Sequence, residues 1–66
     1  MVRYKVTIYN KNCTKHISTF ILSFEELTKK QIIIRGRLKI SNIFSIDYET
    51  LKVRYPYTEI EIQEED

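Results

Sequence analysis

The sequence predicts an α+β domain: a small antiparallel sheet of about five strands with one short helix, in the order β-β-α-β-β-β. Three observations carry this. Four stretches alternate apolar and polar residues with the period of two that a half-buried strand requires. One stretch, Ser23 to Lys30, has helix-capping chemistry. Composition also favours strands, since Ile and Tyr are abundant and Ala is absent. A curled or barrel-like sheet is the alternative form of the same class.

The first predicted strand is Val2 to Tyr9. Val2, Tyr4, Val6 and Ile8 take one face, and Arg3, Lys5, Thr7 and Tyr9 take the other. Asn10-Lys11-Asn12 follows as a turn, because Asn tolerates positive φ and bonds its own backbone. Cys13 to Leu22 reads as the second strand, antiparallel to the first. Its consecutive Phe20, Ile21 and Leu22 imply a bulge or cover on both faces. Ser23 and Glu26 form an S-x-x-E capping box that opens a helix over about Phe24 to Lys30, with Phe24 and Leu27 turned inward.

Gln31 to Ile40 is the most strongly patterned stretch and is expected to be the central strand. Ile32, Ile34, Leu38 and Ile40 share one parity; Arg35, Arg37 and Lys39 share the other. Gly36 in its middle signals a bulge or a close backbone approach. Ser41-Asn42 is a turn, and residues 43–48 read as a further strand, with a helical turn starting at Ser45 or Asp47 as the competing reading. Leu51 to Tyr55 alternates again, Pro56 marks an edge or corner, and Tyr57 to Gln63 is the last strand, with Ile60 and Ile62 in and Glu59 and Glu61 out. The expected organisation is one domain over 1–63 and an acidic tail over 64–66.

Net charge is +2, unevenly placed. All eleven basic residues precede Glu59, where only four of the nine acids lie, so a +7 body carries an acidic end. Arg3, Lys5, Arg35, Arg37, Lys39, Lys52 and Arg54 take the outward parity of predicted strands, and Tyr9, Tyr55 and Tyr57 are expected beside them. Neighbouring strands would merge these ten residues into one cationic, aromatic surface suited to a protein partner or to nucleic acid, whose phosphates release counterions and whose bases stack on tyrosine. Polar alternation of this kind also serves simply to solubilise a sheet. The acidic end could fold onto the protein's own basic face, repel nucleic acid, or remain a solvated strand and tail.

Catalysis is poorly supported. Cys13 and His16 are spaced C-x-x-H, which supplies two ligands where a structural zinc site takes four. Asp47 and Glu49 share strand parity, a spacing too common to signal acid–base work. No Gly-rich phosphate loop is visible, and no cofactor or metal is expected. A lone cysteine and the lack of a long apolar run fit a reducing, cytoplasmic setting, that of the host cell if a phage encodes the chain. The codon bias implied by abundant Ile, Lys and Tyr suggests a low-GC genome.

The expectation is therefore a small non-enzymatic protein acting by protein–protein contact, with direct nucleic-acid binding as the alternative. Its size and lack of catalytic chemistry fit the class of phage accessory proteins that bind or inhibit host nucleic-acid-processing systems, an analogy of class alone. A thin core and exposed edges also favour self-association, with a homodimer as its simplest form.

Overall fold

In the computed structural model, which describes residues 1–64 (Glu64 by its backbone only), the middle strand is β1, Val2–Tyr9. It lies between β2 (His16–Ser23) and β3 (Tyr57–Glu64), and both pairings are antiparallel. Two helices, α1 (Lys29–Phe44) and α2 (Tyr48–Arg54), connect β2 to β3. The α+β class holds. The expected five strands and the order β-β-α-β-β-β do not: the chain runs β-β-α-α-β.

β1 is the stretch where expectation and structure agree best. Tyr4, Val6 and Ile8 are all at most 1% exposed, because their face meets α1. Thr7, on the opposite face, shares a 2.9 Å hydroxyl hydrogen bond with Ser18. The hairpin is organised by Asn10, whose Oδ1 accepts from the Thr14 and Lys15 N–H groups at 2.8 and 3.0 Å. Cys13 takes a left-handed φ of 55° inside this turn, so β2 starts at His16 rather than at Cys13.

Gln31 to Ile40 is helix, which overturns the expected central strand. The reason lies just upstream. Thr28 caps α1, with its Oγ1 accepting from the Gln31 N–H at 3.2 Å, while the Gln31 Oε1 accepts from the Thr28 N–H at 2.9 Å. This reciprocal box satisfies two of the free N–H groups at the helix start. From there Ile32, Gly36 and Ile40 fall at i, i+4 and i+8 and form the buried stripe. The Ser23–Glu26 box expected to start a helix is absent as such. The Ser23 hydroxyl accepts from Glu25 N–H instead, no helix spans Phe24 to Thr28, and Phe24 is exposed. Leu27 does pack on the core.

Gly36 marks a close approach, as its place in the sequence suggests, but of helix to sheet. A Cβ there would stand 2.7 Å from Val6 Cγ1. The helix lies this near the central strand because the position has no side chain.

α1 ends at Ser45, which adopts φ 54° and returns its N–H to the Ser41 carbonyl. Ser41 and Asn42 thus belong to the helix and not to a turn. Asp47 then caps α2 by accepting from the Thr50 N–H at 3.3 Å. Residues 43–44 end α1 and the helical alternative starting at Asp47 holds, so the strands expected over 43–48 and over Leu51 to Tyr55 are absent, and Leu51 becomes a fully buried anchor. The last strand forms as expected, with Glu64 inside it; Glu65 and Asp66 of the expected tail lie outside the described residues.

The two edges of the sheet differ. Backbone groups of alternate strand residues point to the same side. The Lys15 carbonyl accepts from Asn10 N–H at 3.1 Å, so in β2 the odd-numbered groups face β1 and the Phe20 carbonyl faces outward. Lys39 of α1 donates its ammonium to that carbonyl. A lysine therefore occupies the β2 edge, one of the ways proteins block unwanted strand pairing.

Candidate protein-binding surfaces

The expected single cationic face is divided between two layers. Arg3, Lys5, Tyr9 and Tyr57 do share the open side of the sheet, with Tyr57 registered against Tyr9. Arg35, Arg37, Lys39, Lys52, Arg54 and Tyr55 instead belong to α1, α2 and the α2 cap, because the stretches that carry them are helical. At 100° per residue Arg35 and Lys39 share a side of α1 and Arg37 does not.

The open side of the sheet is mixed rather than basic. Glu61 stands opposite Lys5 and Glu59 opposite Thr7, so the acidic end lies against the strand that carries the first cations. Arg3 donates from Nε to Gln63 Oε1 at 3.0 Å, and its guanidinium lies 4.6 Å from the Phe20 ring centre. That cation is spent on packing its own sheet. At the other end the Tyr9 and His16 rings are 5.9 Å apart.

The cations concentrate on the helical layer. A groove of about 520 Å³ runs between α1 and α2. Ile33, Ile34 and Tyr48 line it, with Lys29, Lys30, Arg37 and Lys52 around them. Arg37 is partly committed to structure: its Nη2 donates to the Pro56 carbonyl at 3.4 Å, and its Nε is buried without a partner among the described residues. Along the outer side of α1, Ile34 and Leu38 stand 39% and 46% exposed. The sequence reading did not single out Lys29, Lys30 or Ile34 as contact residues. Two signals could have found them: Thr28-x-x-Gln31, which starts the helix, and Asp47-x-x-Thr50, which starts the next.

A second groove, of about 480 Å³, lies between the start of α1 and the inner face of β3. Ile60 is half-buried there and Ile62 remains 60% exposed, because α1 packs more closely on β2 than on β3.

Cys13 is exposed in the hairpin and His16 stands against Tyr9, while Asp47 and Glu49 serve the start of α2. Among the described residues no three His, Cys, Asp or Glu side chains gather in a group that could hold a metal, and no helix is long and apolar enough to cross a membrane. Comparison with protein-family models, with curated proteins and with solved structures finds no match to this chain.

Proposed function

We propose that this chain is a non-enzymatic binding protein that works by protein–protein contact, with an acidic, partly apolar segment of the partner seated between α1 and α2. The observation that carries this is the mixed chemistry of the groove. Ile33, Ile34 and Tyr48 offer apolar area, and four cations surround them. Apolar burial supplies affinity in such a contact, and complementary charge supplies orientation and encounter rate. A phage-type accessory role, as a stoichiometric binder or inhibitor of a host nucleic-acid-processing system, is the setting in which we place this reading.

Direct nucleic-acid binding is the second reading, favoured by charge. Between Thr28 and Pro56 there are seven basic residues and only two acids, Asp47 and Glu49. The two readings part on one residue. Ile34→Lys removes apolar surface from the groove and adds a cation. Binding of a labelled amphipathic Leu/Glu peptide is expected to fall in this variant, while binding of single- and double-stranded oligonucleotides holds or rises. Anisotropy at about 50 and 200 mM salt separates the two, since phosphate contacts weaken steeply over that range. Peptide binding unchanged by Ile34→Lys would remove the groove from consideration.

A further inference from the structure

We infer that the free edge of β3 accepts an extended segment of another protein as a fourth, antiparallel strand, and that this segment alternates apolar with basic residues. The site adjoins the α1–α2 groove, with which it shares Lys29, and is opposite to it in charge preference.

The geometry starts from the hairpin. Asn10 N–H points at β2, so the even-numbered residues of β1 direct their backbone groups to β2 and the odd-numbered ones to β3. Their β3 partners, Tyr57, Glu59, Glu61 and Gln63, point inward. The N–H and C=O groups of Thr58, Ile60 and Ile62 therefore face away from the sheet. None of them has a hydrogen-bond partner among the described residues. Unlike the β2 edge, where Lys39 bonds an outward carbonyl, this edge presents a run of paired donors and acceptors, the template on which strand addition works.

What lies beside the edge sets the side-chain code. On the helix side the 480 Å³ groove is lined by Leu27, Ile32, Ile60 and Ile62, with Lys29, Thr58 and Glu59 also at its wall. An incoming strand would place every second side chain there, and apolar residues fit. On the open side its other residues would stand beside Glu59 and Glu61, both exposed, and basic residues fit. Antiparallel addition continues the two ladders already present.

A second copy of this chain fits worse. Centring β3 on its own symmetry mate at Ile60 sets Glu59 against Glu61 of the other copy, and like charges directly opposite are destabilising. The β2 edge of another copy is occupied by Lys39. That like-charge contact, in the register that overlaps β3 most fully, and the fit of basic residues beside Glu59 and Glu61 point to a different polypeptide as the partner.

The test uses a labelled, end-capped peptide of alternating valine and lysine, a block peptide of the same composition, and two N-methylated forms, with the full chain. In an antiparallel addition the residues opposite Thr58, Ile60 and Ile62 are the valines. Methylation of valine amides is expected to weaken binding by about tenfold or more, and methylation of lysine amides to leave it within about twofold. The double variant Glu59→Lys/Glu61→Lys is expected to lose about tenfold for the Val/Lys peptide and to gain binding of a Val/Glu peptide. Amide exchange gives a direct readout: Thr58, Ile60 and Ile62 should exchange quickly in the free protein and become protected with peptide, while Glu59 and Glu61 are protected throughout. Equal binding of the block peptide, insensitivity to both methylations, or protection of those three amides in a self-associated free protein would each overturn the inference.

Discussion

β1 and the first three turns of α1 carry the same pattern in sequence, and the chain folds them differently. Val2 to Tyr9 and Gln31 to Ile40 both alternate apolar and cationic residues. In β1 the alternation is real: Val6 and Ile8, two apart, are both fully buried. In α1 it is coincidental: Leu38 is 46% exposed and Ile40 is 0% exposed. A period of two and a period of 3.6 share many positions over ten residues. What separates them is the boundary. β1 runs into an asparagine turn, whereas Gln31 stands three residues after a threonine whose hydroxyl needs its N–H.

The comparison breaks most readily on residue pairs. Ile8→Ala and Ile40→Ala should each cost about 2–5 kcal/mol, the range for buried large-to-small changes, whereas Leu38→Ala should cost about 0.5 kcal/mol or less, as exposed substitutions do. Urea melts of the three variants check this. Equal losses for Leu38 and Ile40 would mean that the two share a face, as the strand pattern required.

Gly36→Ala sharpens it next. At an open helix site this change would stabilise by about 1 kcal/mol. Here the new methyl meets Val6 at 2.7 Å, so a loss of about 1–3 kcal/mol is expected. A companion Val6→Ala change should recover part of it in a double-mutant cycle, as expected for two side chains that compete for one space. A gain from Gly36→Ala alone would contradict the close packing of α1 on β1.

The smallest effects test the boundary. Thr28→Ala should cost about 1 kcal/mol, the usual worth of an N-cap, with a loss of far-UV helical signal at elevated temperature. Ser23→Ala, which removes the cap that the sequence suggested, should stay within about 0.5 kcal/mol. The reverse ranking would move the helix start back to Ser23.

These contrasts also show how much could be read directly. The outer parts of the fold were legible: β1, the asparagine turn and the last strand with Ile60 and Ile62 inward are local patterns with local causes. The middle was not. Two S/T-x-x-E/Q boxes stand within nine residues, and each has a hydrophobic staple pair, Leu22 with Leu27 and Leu27 with Ile32, so pattern alone does not choose between them. The outcome depends on tertiary packing, since a helix that runs on through Ile40 brings Ile32, Gly36 and Ile40 together over the sheet, with Gly36 against Val6. Misplacing that helix also misplaced the site. Of the ten residues expected on one surface, the six on α1, α2 and its cap moved to the other layer, and Lys29, Lys30 and Ile34 gained a shared groove with Tyr48.

The central place of the first strand sets an order in time. β1 can pair with β2 as soon as the asparagine turn closes, a step of microseconds for hairpins of this kind. Its other side waits for β3, which pairs Val2 with Glu64 and Tyr9 with Tyr57 across nearly the whole chain. That closure comes late both in synthesis and in folding, because distant contacts are formed only after the entropy of a large loop has been lost. Until then Lys5 stands without Glu61 beside it, and the same acidic strand from a neighbouring molecule fits the vacancy as well as the chain's own. Refolding at high concentration should therefore yield exchanged dimers, visible by size-exclusion chromatography, that dilute refolding does not produce.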